Sequence, residues 1–220
     1  METVITIDGP AGSGKSTISS LLAKKIGYLY LDTGAMYRAV ALAAKRKKIH
    51  LNDGKALGEL CNSLDLHFIT DQDPPRLFLN EEDISAAIRS PEMDMASSKV
   101  SAVSEVRKAM TGLQRKIAKG MTLVAEGRDM GTVVFPDAKH KFYLTASLEI
   151  RTERRYKERL GRGETVHMAV VESELKERDH QDETRPIAPL RPAEDAKIID
   201  TTEMTPEQVI GTILCQLDLG

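Results

Sequence analysis

A glycine-rich segment near the N-terminus contains the residues whose types and spacing point most clearly to chemistry. It reads GPAGSGKST and fits the phosphate-loop pattern G-x-x-x-x-G-K-[ST], with Gly9, Gly14, Lys15 and Ser16 at the fixed positions. Glycine lets the backbone fold closely around phosphate oxygens, so that its N–H groups point at the anion. Lysine supplies a cation for the β- and γ-phosphates, and the serine hydroxyl can ligate Mg²⁺.

The context of this segment favours nucleotide binding over a turn that merely happens to precede a helix. An apolar run at 4–7 reads as a strand, and a helical pattern follows the segment. We therefore expect a nucleoside triphosphate, ATP, to bind with Mg²⁺ on this loop. The nine residues expected to hold it are Gly9, Pro10, Ala11, Gly12, Ser13, Gly14, Lys15, Ser16 and Thr17.

Strands and helices alternate along the chain, which predicts an α/β fold of the P-loop NTPase type, with a central parallel β-sheet flanked by helices. Further strands are predicted at 28–31, 121–125, 141–145 and 196–200. In parallel sheets, ligands bind beyond the carboxyl ends of the strands. Polar segments follow two of these strands, Asp32-Thr33-Gly34 and Glu126-Gly127-Arg128-Asp129. Their convergence on the phosphate loop predicts a catalytic cleft.

The stretch between the second and third of these strands has a different character. Two short strand-like runs at 66–69 and 76–79 flank a turn-rich segment at 71–75, and a second turn is predicted at 80–83. Two helices are predicted from 91 to 119, with a break between 99 and 104. Helices are also predicted at 148–160 and 165–179, and another begins at the Thr205-Pro206-Glu207 start signal.

Composition limits the classes of function. The net charge of about −2 and the 4% aromatic content argue against nucleic-acid binding, and no apolar run approaches membrane-spanning length. The two cysteines, Cys61 and Cys215, lie in apolar helical patterns and are expected to be buried free thiols, which fits a cytoplasmic protein. The five histidines lack ligand spacing and are expected to be structural or solvated.

The kind of phosphate-loop protein follows from what else the sequence contains. The guanine-reading Asn-Lys-x-Asp of GTPases does not occur, and the strand ending at Glu126 matches the Asp-Glu strand of helicases poorly. A small kinase with a small acceptor remains. Four segments then resemble the bacterial cytidylate kinases: GPAGSGKST, LDTGAMYR at 31–38, EGRDMGTVVFPDA at 126–138 and KERDHQDETRPIAPL at 176–190. They cover the chain from end to end.

This resemblance implies a single kinase domain that transfers the γ-phosphoryl group of ATP to CMP or dCMP by direct in-line, Mg²⁺-assisted transfer, and it implies a monomer. The core would comprise about 1–35, 120–150 and 190–220, with an acceptor-binding insert at about 36–119 and an arginine-rich lid at about 151–165. The family often has serine where this chain has Thr33, so a hydroxyl is kept.

The resemblance also assigns roles to residues. Thr33 and Arg38 would hold the phosphate or base region of CMP, while Ser98, Arg107 and Asp129 would read the cytosine edge. Arg178 and Asp182 would contact the ribose. Phosphates would be met by Arg128 and Arg185. The residues expected to act in catalysis are Lys15, Arg128, Arg155 and Arg185, and Ser16 is the expected metal ligand.

Electrostatics independently favours this interpretation. A phosphate acceptor is already an anion near neutral pH, so charge neutralisation matters more than a general base. Arginine suits that task because it is always charged and binds phosphate bidentately. Five arginines are expected around the acceptor: Arg38, Arg107, Arg128, Arg178 and Arg185. Five more occupy the predicted lid, unless they simply form a solvated helix face: Arg151, Arg154, Arg155, Arg159 and Arg162.

Several alternatives stay open at this point. A kinase of the same build could act on UMP, dTMP or shikimate, and a regulatory nucleotide-binding module could have lost transfer activity. Asp32 could either order a magnesium-bound water or cap the following helix. Asp8, just before the loop, is expected to fix the loop's backbone.

The lid hypothesis makes a direct prediction for Arg155→Ala. Removing a guanidinium that meets the transferring phosphoryl group should lower kcat by about 10² or more, while nucleotide affinity changes less. Steady-state kinetics and nucleotide titration measure the two quantities separately. An unchanged kcat would exclude Arg155 from the reaction.

Overall fold

The computed structural model describes residues 3–69 and 75–217. Numbered in chain order, its helices and strands are β1 (Val4–Asp8), α1 (Lys15–Ile26), β2 (Leu29–Asp32), α2 (Thr33–Arg46), α3 (Gly54–Ser63), β3 (Leu66–Ile69), β4 (Arg76–Leu79), β5 (Glu82–Asp83), α4 (Pro91–Ser101), α5 (Ser104–Ala118), β6 (Leu123–Gly127), β7 (His140–Thr145), α6 (Leu148–Gly161), α7 (Met168–Thr184), β8 (Lys197–Asp200) and α8 (Pro206–Leu214). A 3₁₀ turn at Ala87–Arg89 and a single-turn π-helix at Met130–Val134 complete the assignment.

The central sheet has five parallel strands in the order β2-β6-β1-β7-β8, flanked by helices, which confirms the predicted α/β fold. Alternate residues of β6 enter two different cores. Leu123 and Ala125 pack with α2, α3 and α5 on one face, whereas Val124 packs with α1 and α8 on the other. Burial on both faces explains why β6 reads as a continuous apolar run.

A second, antiparallel sheet of order β3-β4-β5 lies between α3 and α4. The predicted hairpin strands at 66–69 and 76–79 are confirmed, with Leu66 opposite Leu79. Most of the predicted turn at 71–75 lies outside the described residues. The turn predicted at 80–83 is confirmed at 80–81, whereas Glu82–Asp83 form the short strand β5, because Glu82 pairs with Leu79 and extends the sheet. The break between α4 and α5 falls where it was predicted.

Three local predictions differ from the structure. The strand predicted at 121–125 is shifted to 123–127, because Glu126 and Gly127 continue the ladder beside Ile7 and Asp8. The helix predicted at 165–179 is α7, which begins after His167 and runs to Thr184, since Val171, Leu175 and Asp182 are its buried positions. Cys61 is buried as predicted, but Cys215 is exposed because it follows the last turn of α8.

Within residues 3–69 and 75–217, every helix is too short or too polar to cross a membrane.

The chain turn after β1 generates a stability prediction. Gly9 has φ +155°, and a Cβ there would lie 2.1 Å from the Leu144 carbonyl oxygen, whereas Gly27 has φ +72° with nothing within 4 Å. Gly27→Ala should therefore lower the free energy of unfolding by only about 1–2 kcal/mol, the cost of left-handed backbone. Gly9→Ala should lower it by about 3 kcal/mol or more, because overpacking adds to strain. Urea denaturation compares the two variants, and equal losses would contradict the prediction.

Candidate active site

The phosphate loop forms one wall of a cleft of about 820 Å³ at the carboxyl ends of the sheet strands. Residues 11–18 line this cleft, and α1 begins at Lys15 with its N-terminus toward it. The side chain of Lys15 is buried, and its Nζ donates to the Pro10 carbonyl oxygen at 3.0 Å. Backbone N–H groups, a helix N-terminus and a buried cation together form a site for phosphate.

A carboxylate to which the sequence assigns no role of its own lies beside the loop. Glu126, at the end of β6, accepts a hydrogen bond from Ser16 Oγ at 2.8 Å and a second from the Tyr30 hydroxyl. Burial, followed by the charge of Asp32, raises the pKa of Glu126. The signal that could have found it is a charged residue within an otherwise apolar buried strand.

These oxygen groups fit a magnesium ion shared with nucleotide phosphates. Ser16, Glu126 and Asp32 all line the cleft next to the loop, and Mg²⁺ prefers oxygen ligands. In the part of the chain that the structure describes, no group of three or more His, Cys, Asp or Glu side chains could hold a metal by itself. Mg²⁺ commonly binds through few protein ligands together with substrate phosphates, so a partial set is what this chemistry requires.

Opposite the loop, arginines and carboxylates form a buried network. Arg107 on α5 donates to Asp129, and Arg185 at the end of α7 lies 3.7 Å from the other Asp129 oxygen. Arg128 Nε donates to Asp182 at 2.8 Å, and Arg185 lies 3.7 Å from Asp182 as well. Each carboxylate thus holds two guanidinium groups in fixed positions, which orients the arginines toward the cleft.

The cleft carries an excess of closely spaced positive charge. Burial and the neighbouring Arg128 lower the pKa of Lys15 to about 7 and that of Arg178 to about 10. Arg178 Nε is buried and has no hydrogen-bond partner among the residues the structure describes. Neighbouring cations repel one another and lower each other's pKa. A polyanion that binds between them offsets this repulsion, so the electrostatic environment of the cleft favours phosphate.

The segment after β2 brings Thr33 and Arg38 to the same cleft. Thr33 is buried and its hydroxyl donates to the Glu126 carbonyl oxygen at 2.6 Å, while Arg38 pairs with Asp32 at 3.1 Å. Asp32 also accepts from the Ala35 N–H at 2.8 Å. The structure therefore shows the helix-capping role of Asp32, and its carboxylate is additionally committed to an arginine.

The predicted lid arginines divide into two groups. Arg154, Arg155 and Arg162 line the cleft. Arg151 is instead buried and donates to the Ala11 carbonyl oxygen at 3.2 Å and to Asp179 at 2.5 Å, so it supports the phosphate loop. Arg159 pairs with Glu164 and Glu174 away from the cleft. Their spacing of i, i+3, i+4, i+8 and i+11 places all five on roughly one side of the helix, so the division comes from the tertiary contacts that each arginine makes, which the sequence does not reveal.

Two further expectations differ from the geometry. Ser98 lies on α4, where its hydroxyl donates to Gln181 at 2.9 Å, and it does not line the cleft, although Ser97 and Ser101 do. The Asp8 carboxylate was expected to fix the phosphate loop. It accepts instead from the N–H groups of Met130 and Gly131, both at 2.8 Å, because β1 and β6 are neighbours in the sheet.

Comparison with known proteins agrees with this geometry. A sequence profile described as cytidylate kinase matches residues 5–218. The chain belongs to the cytidylate kinase family. A protein named cytidylate kinase from Geobacter sp. (strain M21) is 48% identical over 207 residues, which are 94% of this chain and 89% of that protein. The one from Vibrio cholerae is 47% identical over 211 residues, covering 96% and 94%.

A solved structure supports the fold independently. An uncharacterized protein from Eubacterium ventriosum superposes with a TM-score of 0.53 at 12% identity, covering 99% of both chains. At this identity the likeness concerns the fold alone. Family membership confirms the resemblance read from the sequence and the expectation of a nucleoside monophosphate kinase, for which ATP is the phosphoryl donor.

The lowered pKa of Lys15 predicts proton uptake on nucleotide binding. Near pH 8 the free protein should hold Lys15 largely neutral, because its pKa is lowered to about 7. The phosphates of ATP favour the charged amine, so their binding should raise this pKa and draw a proton from the buffer. Calorimetric titrations in buffers of different ionisation enthalpy measure the number of protons.

Lys15→Arg is the matched control, since a guanidinium keeps the charge but does not titrate in this range. We expect uptake approaching one proton in the natural protein and none in the variant. Equal uptake in both would show that the proton goes elsewhere.

Proposed function

We propose that this member of the cytidylate kinase family transfers the γ-phosphoryl group of ATP to CMP or dCMP, giving ADP and CDP or dCDP. One observation carries the proposal. Lys15 on the phosphate loop and Arg185 at the end of α7 line the same cleft, together with the other acceptor-side arginines. ATP and the acceptor phosphate can approach one another there because positively charged side chains neutralise both.

The donor nucleotide is assigned to the wall formed by the phosphate loop and the chain after β8. Arg154 donates to the Thr201 carbonyl oxygen at 2.6 Å and to its hydroxyl at 3.0 Å, and that hydroxyl donates to the Ser13 carbonyl oxygen at 3.1 Å. Thr201, Met204 and Pro206 line the cleft here. We infer that this wall receives the base and ribose while residues 9–17 bind the phosphates.

The acceptor is assigned to the opposite wall. Arg38, Arg128, Arg178 and Arg185 would neutralise its phosphate, whose second pKa of about 6 leaves it anionic without a general base. Bringing like charges within a few ångströms costs several kcal/mol at moderate dielectric, and this cost is what the guanidinium groups offset. The paired Arg107 and Asp129 offer donor and acceptor atoms at fixed places, which suits recognition of a cytosine edge.

Magnesium is assigned to Ser16. The nearby carboxylate of Glu126 could accept a hydrogen bond from a water molecule bound to the ion. The ion would add positive charge to the phosphates during transfer. The Ser16 hydroxyl now donates to Glu126, so the two groups are already oriented toward one another.

Transfer is proposed to be direct and in line, with the protein contributing position and charge. Residues at about 36–119 would form the acceptor-binding insert and those at about 151–165 the lid. The lid would bring Arg155 and Arg162 onto the transferring group and exclude water, which strengthens every charge interaction in the cleft.

An acceptor panel tests the proposal. ADP release from ATP is measured with CMP, dCMP, UMP, dTMP, AMP and shikimate by a coupled assay, and the product nucleotides are identified by chromatography. CMP and dCMP should give the highest kcat/KM, with CDP or dCDP as product. ADP release with CMP no greater than with AMP or shikimate would contradict the assignment. Binding of ATP without binding of CMP would indicate a regulatory nucleotide-binding module.

A further inference from the structure

Asp94 on α4 joins arginines that come from two separate walls of the cleft. Its Oδ2 accepts a hydrogen bond from Arg155 on α6 and lies 3.9 Å from Arg162, which follows α6. Its Oδ1 lies 3.8 Å from Arg38 on α2. One carboxylate therefore touches both the lid arginines and an acceptor-side arginine.

The environment of Asp94 keeps this carboxylate ionised. Only 14% of its side chain is exposed, and it lines the cleft. Burial would raise its pKa, but the charges of Arg155, Arg178 and Arg38 outweigh burial and hold the pKa below its ordinary value. A charged, partly buried carboxylate facing several cations has few other positions available, so its geometry is well defined.

The same lid arginines have a second carboxylate partner, but on their own helix. Glu158 accepts from Arg155 at 2.7 Å and also from Arg162. Glu158 is exposed and belongs to α6, so these contacts do not tie the lid to anything else. Arg162 also donates to the carbonyl oxygen of Arg89, another residue that lines the cleft, at 3.1 Å.

We propose that Asp94 is a positioning residue for phosphoryl transfer, which holds Arg155 beside Arg38 so that guanidinium groups from the lid and from the acceptor side face the reacting phosphates together. The inference rests on the proposed function. An arginine has several rotatable bonds, and a carboxylate that fixes one of its nitrogens limits where the guanidinium can lie before substrates arrive.

Asp94→Asn tests this inference, with Glu158→Gln as the matched control. Asp94→Asn should lower kcat for CMP by about 10-fold or more while the KM for ATP changes less than about 3-fold, because misplacing a catalytic group affects turnover more than binding. Glu158→Gln removes a carboxylate from the same arginines without breaking the bridge, and its kcat should stay within about 3-fold of the natural value. Asp94→Glu keeps the charge and should restore part of the loss.

A second experiment asks whether Asp94 acts through Arg155. In an Arg155→Ala background, Asp94→Asn should change kcat by less than about 3-fold, because the residue it positions is gone. If thermal unfolding shows that Asp94→Asn does not fold, Asp94→Glu takes its place in the same cycle. The smaller decrease in kcat caused by Asp94→Glu should likewise disappear in the Arg155→Ala background.

Three results would overturn the inference. Asp94→Asn could match or exceed the natural kcat, which would mean that Asp94 is dispensable or competes with phosphate. The kcat of Asp94→Asn could fall by no more than that of Glu158→Gln. The decrease in kcat caused by Asp94→Asn could also persist in full in the Arg155→Ala background. A natural protein inactive toward CMP would instead contradict the proposed function, so the two failures are distinguishable.

Discussion

The structure depends on holding many cations together in one partly buried cleft. Lys15 lies close enough to Arg128 and Arg178 for their charges to lower its pKa, and like charges at such separations repel strongly. The fold tolerates this arrangement because carboxylates are distributed among the cations. Asp129 and Asp182 each engage two guanidinium groups, and Asp94 engages others from the lid. The remaining excess of positive charge favours the binding of polyanions in the cleft.

The parallel sheet explains why these groups meet although they are far apart in sequence. The chain leaves β1, β2 and β6 at the same edge, where Lys15 and Thr33 begin α1 and α2 and Arg128 directly follows β6. The strand order places β6 between β1 and β2, so Glu126 lies between Ser16 and Tyr30. Helices α4 and α7 then close the opposite wall with Asp94 and Asp182.

Local patterns in the sequence predict the fold and the phosphate loop, whereas the roles of the acceptor-side arginines come from the resemblance to the cytidylate kinases. A glycine-rich loop between strand and helix is recognisable by itself, but most of the acceptor-side arginines lie on helices and not at strand ends. Carboxylates that orient other residues are harder to recognise, because their contacts are distant in the chain. Asp94 leaves no local pattern, and Glu126 shows only as a charged residue ending an apolar strand; their partners lie 61 and 110 residues away. The division of the α6 arginines also depended on tertiary packing, since Arg151 supports Ala11 rather than facing the cleft.

A bisubstrate ligand tests the central claim most directly. In it, cytidine and adenosine are joined through a chain of five phosphates that should span the cleft from Lys15 to Arg185. If one cleft accepts both polyanions at once, its Kd measured by calorimetry should be roughly 100-fold or more below that of ATP, because the second nucleotide binds as part of the same molecule. A Kd no lower than that of ATP would show that the two walls do not act on one reacting pair.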